Sequence, residues 1–156
     1  MSNIETAPQD QIEIPSSDFV TKFTDERKYW SESVISLGRR FNIIENLAEL
    51  QVDLYSQRQQ IVEYQFKLVS LHTKIKKLFS IEWKKAYEEA GRNDDIRFSE
   101  KEKTKTAEAI TSTIKFKQES VSNQIDFFKE TLKTVDSMIF GVKHRIEIEN
   151  FKIGMK

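Results

Sequence analysis

The chain has 156 residues with no cysteine, two prolines and four glycines, and its 25 Lys and Arg balance 25 Asp and Glu. The missing cysteines exclude disulfide frameworks, thiolate metal sites and cysteine nucleophiles, and no run approaches the roughly 20 apolar residues that span a bilayer. Hydrophobic residues at 38% beside charged residues at 32% suit long amphipathic helices, whereas a sheet protein of this size needs many more Gly, Pro and Asn-Gly turns.

Residues 1–18 are polar and acidic and carry both prolines, Pro8 and Pro15. They read as a disordered acidic tail, with neither the basic nor the apolar segment of a secretory signal. Thr24-Asp25-Glu26 then offers an N-cap followed by acids that suit a helix dipole. The first helix runs on through Tyr29, Trp30, Val34 and Leu37, with Gly38 as a break or close-packing point.

The clearest pattern follows. Ile43, Leu47, Leu50, Leu54, Gln57, Ile61, Tyr64, Leu68, Leu71, Ile75 and Leu78 alternate in steps of four and three, a heptad ladder of about five repeats. Ala48, Tyr55, Val62 and Val69 sit one residue after alternate rungs and widen the stripe from a two-strand seam to a bundle face. The helical region 19–91 should end at Ala90-Gly91, with Gly91 in a left-handed cap position.

Residues 92–99 form the mid-chain loop. Ser99 then serves as N-cap, with Glu102 three residues on completing a capping box. The C-terminal helical region, 100–156, carries a second ladder: Ala107, Ile110, Ile114, Lys117, Val121, Ile125, Phe128, Leu132, Val135, Ile139, Val142 and Ile146. Consecutive steps of four at 117, 121 and 125 mark a stutter. The Ser and Thr content between 111 and 123 suggests a bend or an interruption there. The fold class is therefore all-α, with long coiled-coil-type helices forming a homo-oligomer. The apolar residues Phe140, Val142, Ile146, Ile148, Phe151 and Ile153 are the expected subunit contacts.

No catalytic or metal constellation is visible. His72 and His144 are far apart, and neither has a carboxylate or second histidine at ligand spacing; no phosphate-binding Gly-rich loop, H-E-x-x-H or G-x-S-x-G occurs. The acids Glu88, Glu89, Asp94 and Asp95 crowd a helix end beside Arg92 and Arg97, where carboxylates ordinarily solvate a turn. We expect a protein that is not an enzyme, with no cofactor and no metal.

Charge is unevenly distributed. Residues 1–32 hold seven acids against three bases, whereas residues 67–85 hold Lys67, Lys74, Lys76, Lys77, Lys84 and Lys85 against Glu82 alone. The aromatic residues Phe79, Trp83 and Tyr87 interleave with this basic stretch. Lysines supply point charges for a phosphate backbone, and aromatic rings offer stacking platforms that tolerate any base. Lys74, Lys76, Lys77, Trp83, Lys84, Lys85, Tyr87 and Arg92 are the candidate nucleic-acid-binding residues, with Lys77, Lys84 and Trp83 near one side of the helix. The plain alternative is a solvated coiled-coil face whose aromatics are core.

The segment LYSQRQQIVEYQFKLVSLHTKIKKLFSIEWKKAYEEAGR, the polar DDIRFSEKEKTK and the aromatic-rich QIDFFKETLKTVDSMIFGVKHRIEIENFKIG lie in an order that resembles the UvsY family of phage recombination mediators, over roughly residues 54–154. The resemblance implies non-catalytic proteins that assemble into rings of six or seven subunits and bind single-stranded DNA. It implies that they load a RecA-type recombinase onto strands coated by single-strand-binding protein, in the host cytoplasm, and that the C-terminal part is a helical hairpin. The family's strand-binding motif is Lys-x-Arg-Leu. Here Lys85 falls at its arginine and Trp83 at its first lysine, with Lys84 as the neighbouring base. A coiled-coil scaffold or adaptor without nucleic-acid binding accounts for the same ladders.

Overall fold

The structure is a computed structural model that describes residues 18–92 and 98–155. Of the acidic tail read over residues 1–18, residues 1–17 lie outside the described residues, as do the loop residues Asp94, Asp95 and Arg97, while Asp18 opens the first helix. Helix α1 spans Asp18–Arg39, two single 3-10 turns occupy Arg40–Asn42 and Ile44–Asn46, α2 spans Leu47–Gly91, and α3 spans Glu100–Gly154. At 1.5 Å per residue, α2 is about 68 Å long and α3 about 83 Å.

Helices α2 and α3 form an antiparallel hairpin. Tyr87 meets Glu100 at the loop end, Tyr64 packs on Phe128 at mid-length, and Arg58 Nε donates to Asp136 at 2.7 Å beyond it. Leu50, Leu54, Ile61 and Ile75 of α2, with Val121, Phe128, Val135 and Val142 of α3, are fully buried in one continuous core. The ladder read on α2 is therefore real from Leu47 onward. Ile43 is not its first rung: it takes an extended conformation between the two 3-10 turns and is 45% exposed. Of the two readings of Gly38, close packing fits: it lies within α1 beside Met138, and the break falls over residues 40–46.

The register of α3 differs from the sequence reading. Ile110 is 61% exposed and Thr111 is fully buried, while Gln118 lines a groove with Lys76, Phe79, Ser80 and Trp83 of α2. Taking Thr111 and Gln118 as rungs makes the steps alternate four and three from Ala107 to Ile146, so no stutter remains. Nor is the helix interrupted between 111 and 123. The hydroxyls of Thr111, Ser112 and Ser120 donate to backbone carbonyls of the preceding turn, which satisfies them without interrupting the helix. The C-terminal hairpin that the family resemblance implies is likewise replaced by one uninterrupted helix.

Helix α1 starts six residues upstream of Thr24, whose hydroxyl donates to the Val20 carbonyl inside the helix. Phe19 and Phe23, in contact at 4.4 Å, are buried in the shared core, and this burial extends the helix to Asp18. At the other end Gly91 ends α2 without a left-handed cap; Arg92 follows in right-handed geometry, and no described residue has positive φ.

Trp30 packs edge-on against Phe128 and beside Tyr64. Below it lies a polar clasp. The Tyr64 hydroxyl donates to Glu26, and Gln124 Nε2 donates to the same carboxylate oxygen at 3.3 Å. These contacts, and those of Gly38 with Met138 and Gly141 with Phe41, lay α1 parallel to α3 along the half of the hairpin remote from its loop. Counted back from Glu26, α1 begins about level with Leu71 and Lys117. Among the described residues the molecule is a three-helix bundle in that half and a pair of helices towards the loop.

Two of the residues assigned to subunit contacts belong to this core. Val142 is fully buried and Ile146 is half-buried against the core, because α1 and α2 already cover them. Phe140, Ile148, Phe151 and Ile153 remain 73%, 42%, 69% and 71% exposed.

Burial, then the hydrogen bond to Glu26, pushes the Tyr64 hydroxyl far above the ordinary tyrosine range. A raised folded-state value means that its contribution is complete below about pH 10 and is lost as pH climbs beyond that. Tyr64→Phe should cost about 1–2 kcal/mol at neutral pH, read by urea unfolding, and the gap from wild type should narrow above pH 10. Gly38→Ala, whose new methyl meets only Met138 at 3.6 Å, should stabilise by about 0.5–1 kcal/mol. Gly141→Ala should give less, since its methyl would press the Phe41 ring at 3.3 Å.

Candidate nucleic-acid interface

Charge in the folded chain is sorted by position along the hairpin. The loop half, residues 67–92 and 98–118, carries twelve Lys and Arg against six Asp and Glu. The remaining described residues carry eleven against fourteen. Helix α3 supplies five of the twelve, Lys101, Lys103, Lys105, Lys115 and Lys117. The sequence reading counted only the α2 stretch; pairing it with the antiparallel start of α3 is what brings the second set alongside.

Lys74, Lys76, Lys77, Lys84, Lys85 and Arg92 are all exposed. They do not form one face. Lys77 and Lys84 are seven residues apart and share a side of α2, with Lys67 and Lys74 on the adjoining rows. Trp83 does not join them. It lies with Lys76, Phe79 and Ser80 in a shallow groove closed on the far side by Gln118 of α3. The basic end thus has two surfaces: a lysine row on the outer flank, and an aromatic groove edged by Lys76. Phe79 and Trp83 are half-buried, each leaving part of its side chain accessible.

Tyr87 plays a different part from the one its sequence position suggests. Its ring stacks on Trp83 with centroids 5.2 Å apart and planes 14° from parallel, while its hydroxyl donates to Glu100. Lys103 lies 6.0 Å from the ring centroid and pairs with Glu100 at 3.0 Å. The hydrogen bond to Glu100 raises the Tyr87 hydroxyl above its usual value. The hydrogen bonds from Tyr87 and Lys103 lower the Glu100 carboxyl, and Glu100 raises the Lys103 ammonium. Tyr87 therefore packs on Trp83 and ties α2 to α3.

Next to this contact, Ser99 begins α3 with the expected capping box. Its hydroxyl accepts from the Glu102 amide, and its own amide donates to the Glu102 carboxylate at 2.8 Å. The Ser99 hydroxyl also donates to the Glu102 carboxylate at 2.7 Å, and this bond, then that from the Ser99 amide, holds the Glu102 carboxyl below its ordinary range.

Among the described residues no group of three or more His, Asp or Glu is placed to hold a metal ion. Contrary to the sequence reading, His144 does have a carboxylate one turn away: it stacks on Phe140 and faces Glu147 at 3.7 Å, while His72 is half-buried on α2. No protein-family model, curated protein or solved structure matches this chain.

Ser99→Ala removes the acceptor for the first turn of α3 and should cost about 1 kcal/mol. Amide exchange should quicken at residues 100–103 and stay unchanged around Phe128, which hydrogen-exchange mass spectrometry resolves.

Proposed function

We propose that this chain is a non-catalytic recombination mediator of the UvsY type. In this reading it binds single-stranded DNA with the loop end of its hairpin and helps a RecA-type recombinase onto strands coated by single-strand-binding protein. The observation that carries the reading is the charge sorting. A chain with no net charge places thirteen Lys and Arg against eight Asp and Glu over residues 67–118, beside a groove that holds Phe79 and Trp83. A single strand offers phosphates to the lysine row and unpaired bases to the groove, and neither contact requires sequence. Double-stranded DNA keeps its bases stacked inside and can use only the lysines. The mechanism is competition for the strand and its presentation to the recombinase, with no bond made or broken.

Self-association belongs to the same reading. Repeated weak sites on one assembly bind a strand with high effective concentration, and Phe140, Ile148, Phe151 and Ile153 are apolar side chains left exposed near the end of α3. A second reading, a scaffold or adaptor without a nucleic-acid role, is favoured by the unbroken heptads of α2 and α3 and treats the lysines as solubilising.

Anisotropy titration of a labelled oligothymidylate separates the two. Binding should weaken between about 50 and 200 mM salt, with a logarithmic slope of about −0.7 per phosphate contacted. Replacing Lys76, Lys77, Lys84 and Lys85 by Ala should abolish it, and replacing Lys129, Lys133 and Lys143 should leave it nearly unchanged. Trp83 fluorescence should be quenched by the strand. Absence of salt-sensitive binding, or equal loss in both variants, leaves the scaffold reading.

A further inference from the structure

The widened stripe on α2 does not face its own bundle. Tyr55 and Val69 are 52% and 44% exposed, and Val52 and Phe66, one turn away, are 68% and 71% exposed. With the half-buried Val62 they form a row at 52, 55, 62, 66 and 69, in steps of three and four with only Gln59 interrupting. This is a second heptad seam, turned away from the rungs that meet α3. Helix α1 lies on another side of α2, where Tyr64 reaches Glu26 and Arg40 reaches Asp53. Four large apolar side chains at coiled-coil spacing, left in water over about 26 Å of helix, mark a face that another helix covers.

We propose that the occupant is α2 of a second copy, paired antiparallel about a twofold axis near Val62. The seam is self-complementary in that direction: Tyr55 of one copy falls opposite Val69 of the other, and Val52 falls near Thr73. Charge chooses the direction. The seam is preceded by Glu45 and Glu49 and followed by Lys74, Lys76 and Lys77. A parallel pair would set lysines against lysines, whereas the antiparallel pair sets Glu49, which pairs with Arg40 at 3.6 Å yet stays 71% exposed at its side chain, against Lys77. Glu63 sits on the flank at the axis, where the two carboxylates approach each other and weaken the pair. The two Lys84 positions then lie about 66 Å apart at opposite ends of the dimer. This inference does not depend on nucleic-acid binding.

Because the chain has no cysteine, single-cysteine variants test the geometry directly. Val62→Cys should be linked between chains by a short bis-maleimide, and Val52→Cys, about 30 Å from its mate in the antiparallel pair, should not. Sedimentation of the intact chain should show self-association that weakens at least about tenfold in Phe66→Glu and tightens in Glu63→Gln. The helical circular dichroism of Phe66→Glu should be unchanged, since Phe66 is in water in the single chain. Linkage at both cysteine positions would overturn the antiparallel arrangement. A chain that sediments as a monomer, or self-association that survives Phe66→Glu and is lost in Phe151→Glu, would overturn the α2 interface.

Discussion

Everything in this molecule hangs from the apolar seam between α2 and α3. Isolated helices of this composition are marginal in water, and most helical stability in proteins comes from burying an amphipathic face. Here the buried faces are Leu50, Leu54, Ile61 and Ile75 against Val121, Phe128, Val135 and Val142. The ion pairs around them contribute little by comparison. Arg58 with Asp136 is 42% and 50% exposed at its side chains, and pairs that wet are worth at most about 1 kcal/mol. Emptying one buried rung to alanine would cost about 2–5 kcal/mol.

The polar clasp of Glu26, Tyr64 and Gln124 fixes where α1 sits on that seam. An apolar helix face can slide along a heptad groove by one repeat at little cost, because the groove looks the same seven residues on. A half-buried carboxylate that needs the Tyr64 hydroxyl and the Gln124 amide cannot slide without losing both. Gln124 Oε1 is itself buried without a partner, so the clasp is held at some expense. Its position decides the division of the molecule, since stopping α1 near Leu71 leaves the loop half of the hairpin as two helices among the described residues. The lysines and the Phe79–Trp83 groove are accessible because α1 does not reach them.

Much of this was legible in the chain itself. The α2 ladder is spelled almost wholly in Leu and Ile, so its rungs announced themselves, and the Ser99 capping box is a short-range signal that needs no tertiary context. The α3 register was misread at two places for one reason: Thr111 and Gln118 occupy rungs, while the apolar Ile110 beside the first lies in solvent. Periodicity counts apolar residues and passes over a buried threonine whose hydroxyl is satisfied by Ala107. The start of α1 was placed late because Thr24 looks like a cap, and only the burial of Phe19 and Phe23 against the hairpin extends the helix past it. For the candidate interface, the basic run on α2 was visible, but its partner lysines on α3, the grouping of Trp83 with Lys76, and the tie from Tyr87 to α3 all depend on which helix lies opposite. Those contacts are long-range, and the sequence holds them only through the pairing.

The sorting of charge along the hairpin has a consequence for how the molecule behaves in bulk. Near its isoelectric point of about 6.8 the chain is neutral as a whole, yet it is a rod with a positive end and a mildly negative body. Such an object has an electric dipole in place of a monopole, and a column or a surface reads the end it meets. It would be retained by a cation exchanger through its tip and weakly by an anion exchanger through its shaft. In dilute buffer, neighbouring rods would tend to align tip to shaft. A screening length of about 8 Å at physiological ionic strength is far shorter than the rod, so in the cell each end would act alone, and the neutrality of the whole would be invisible to anything that touches only one end.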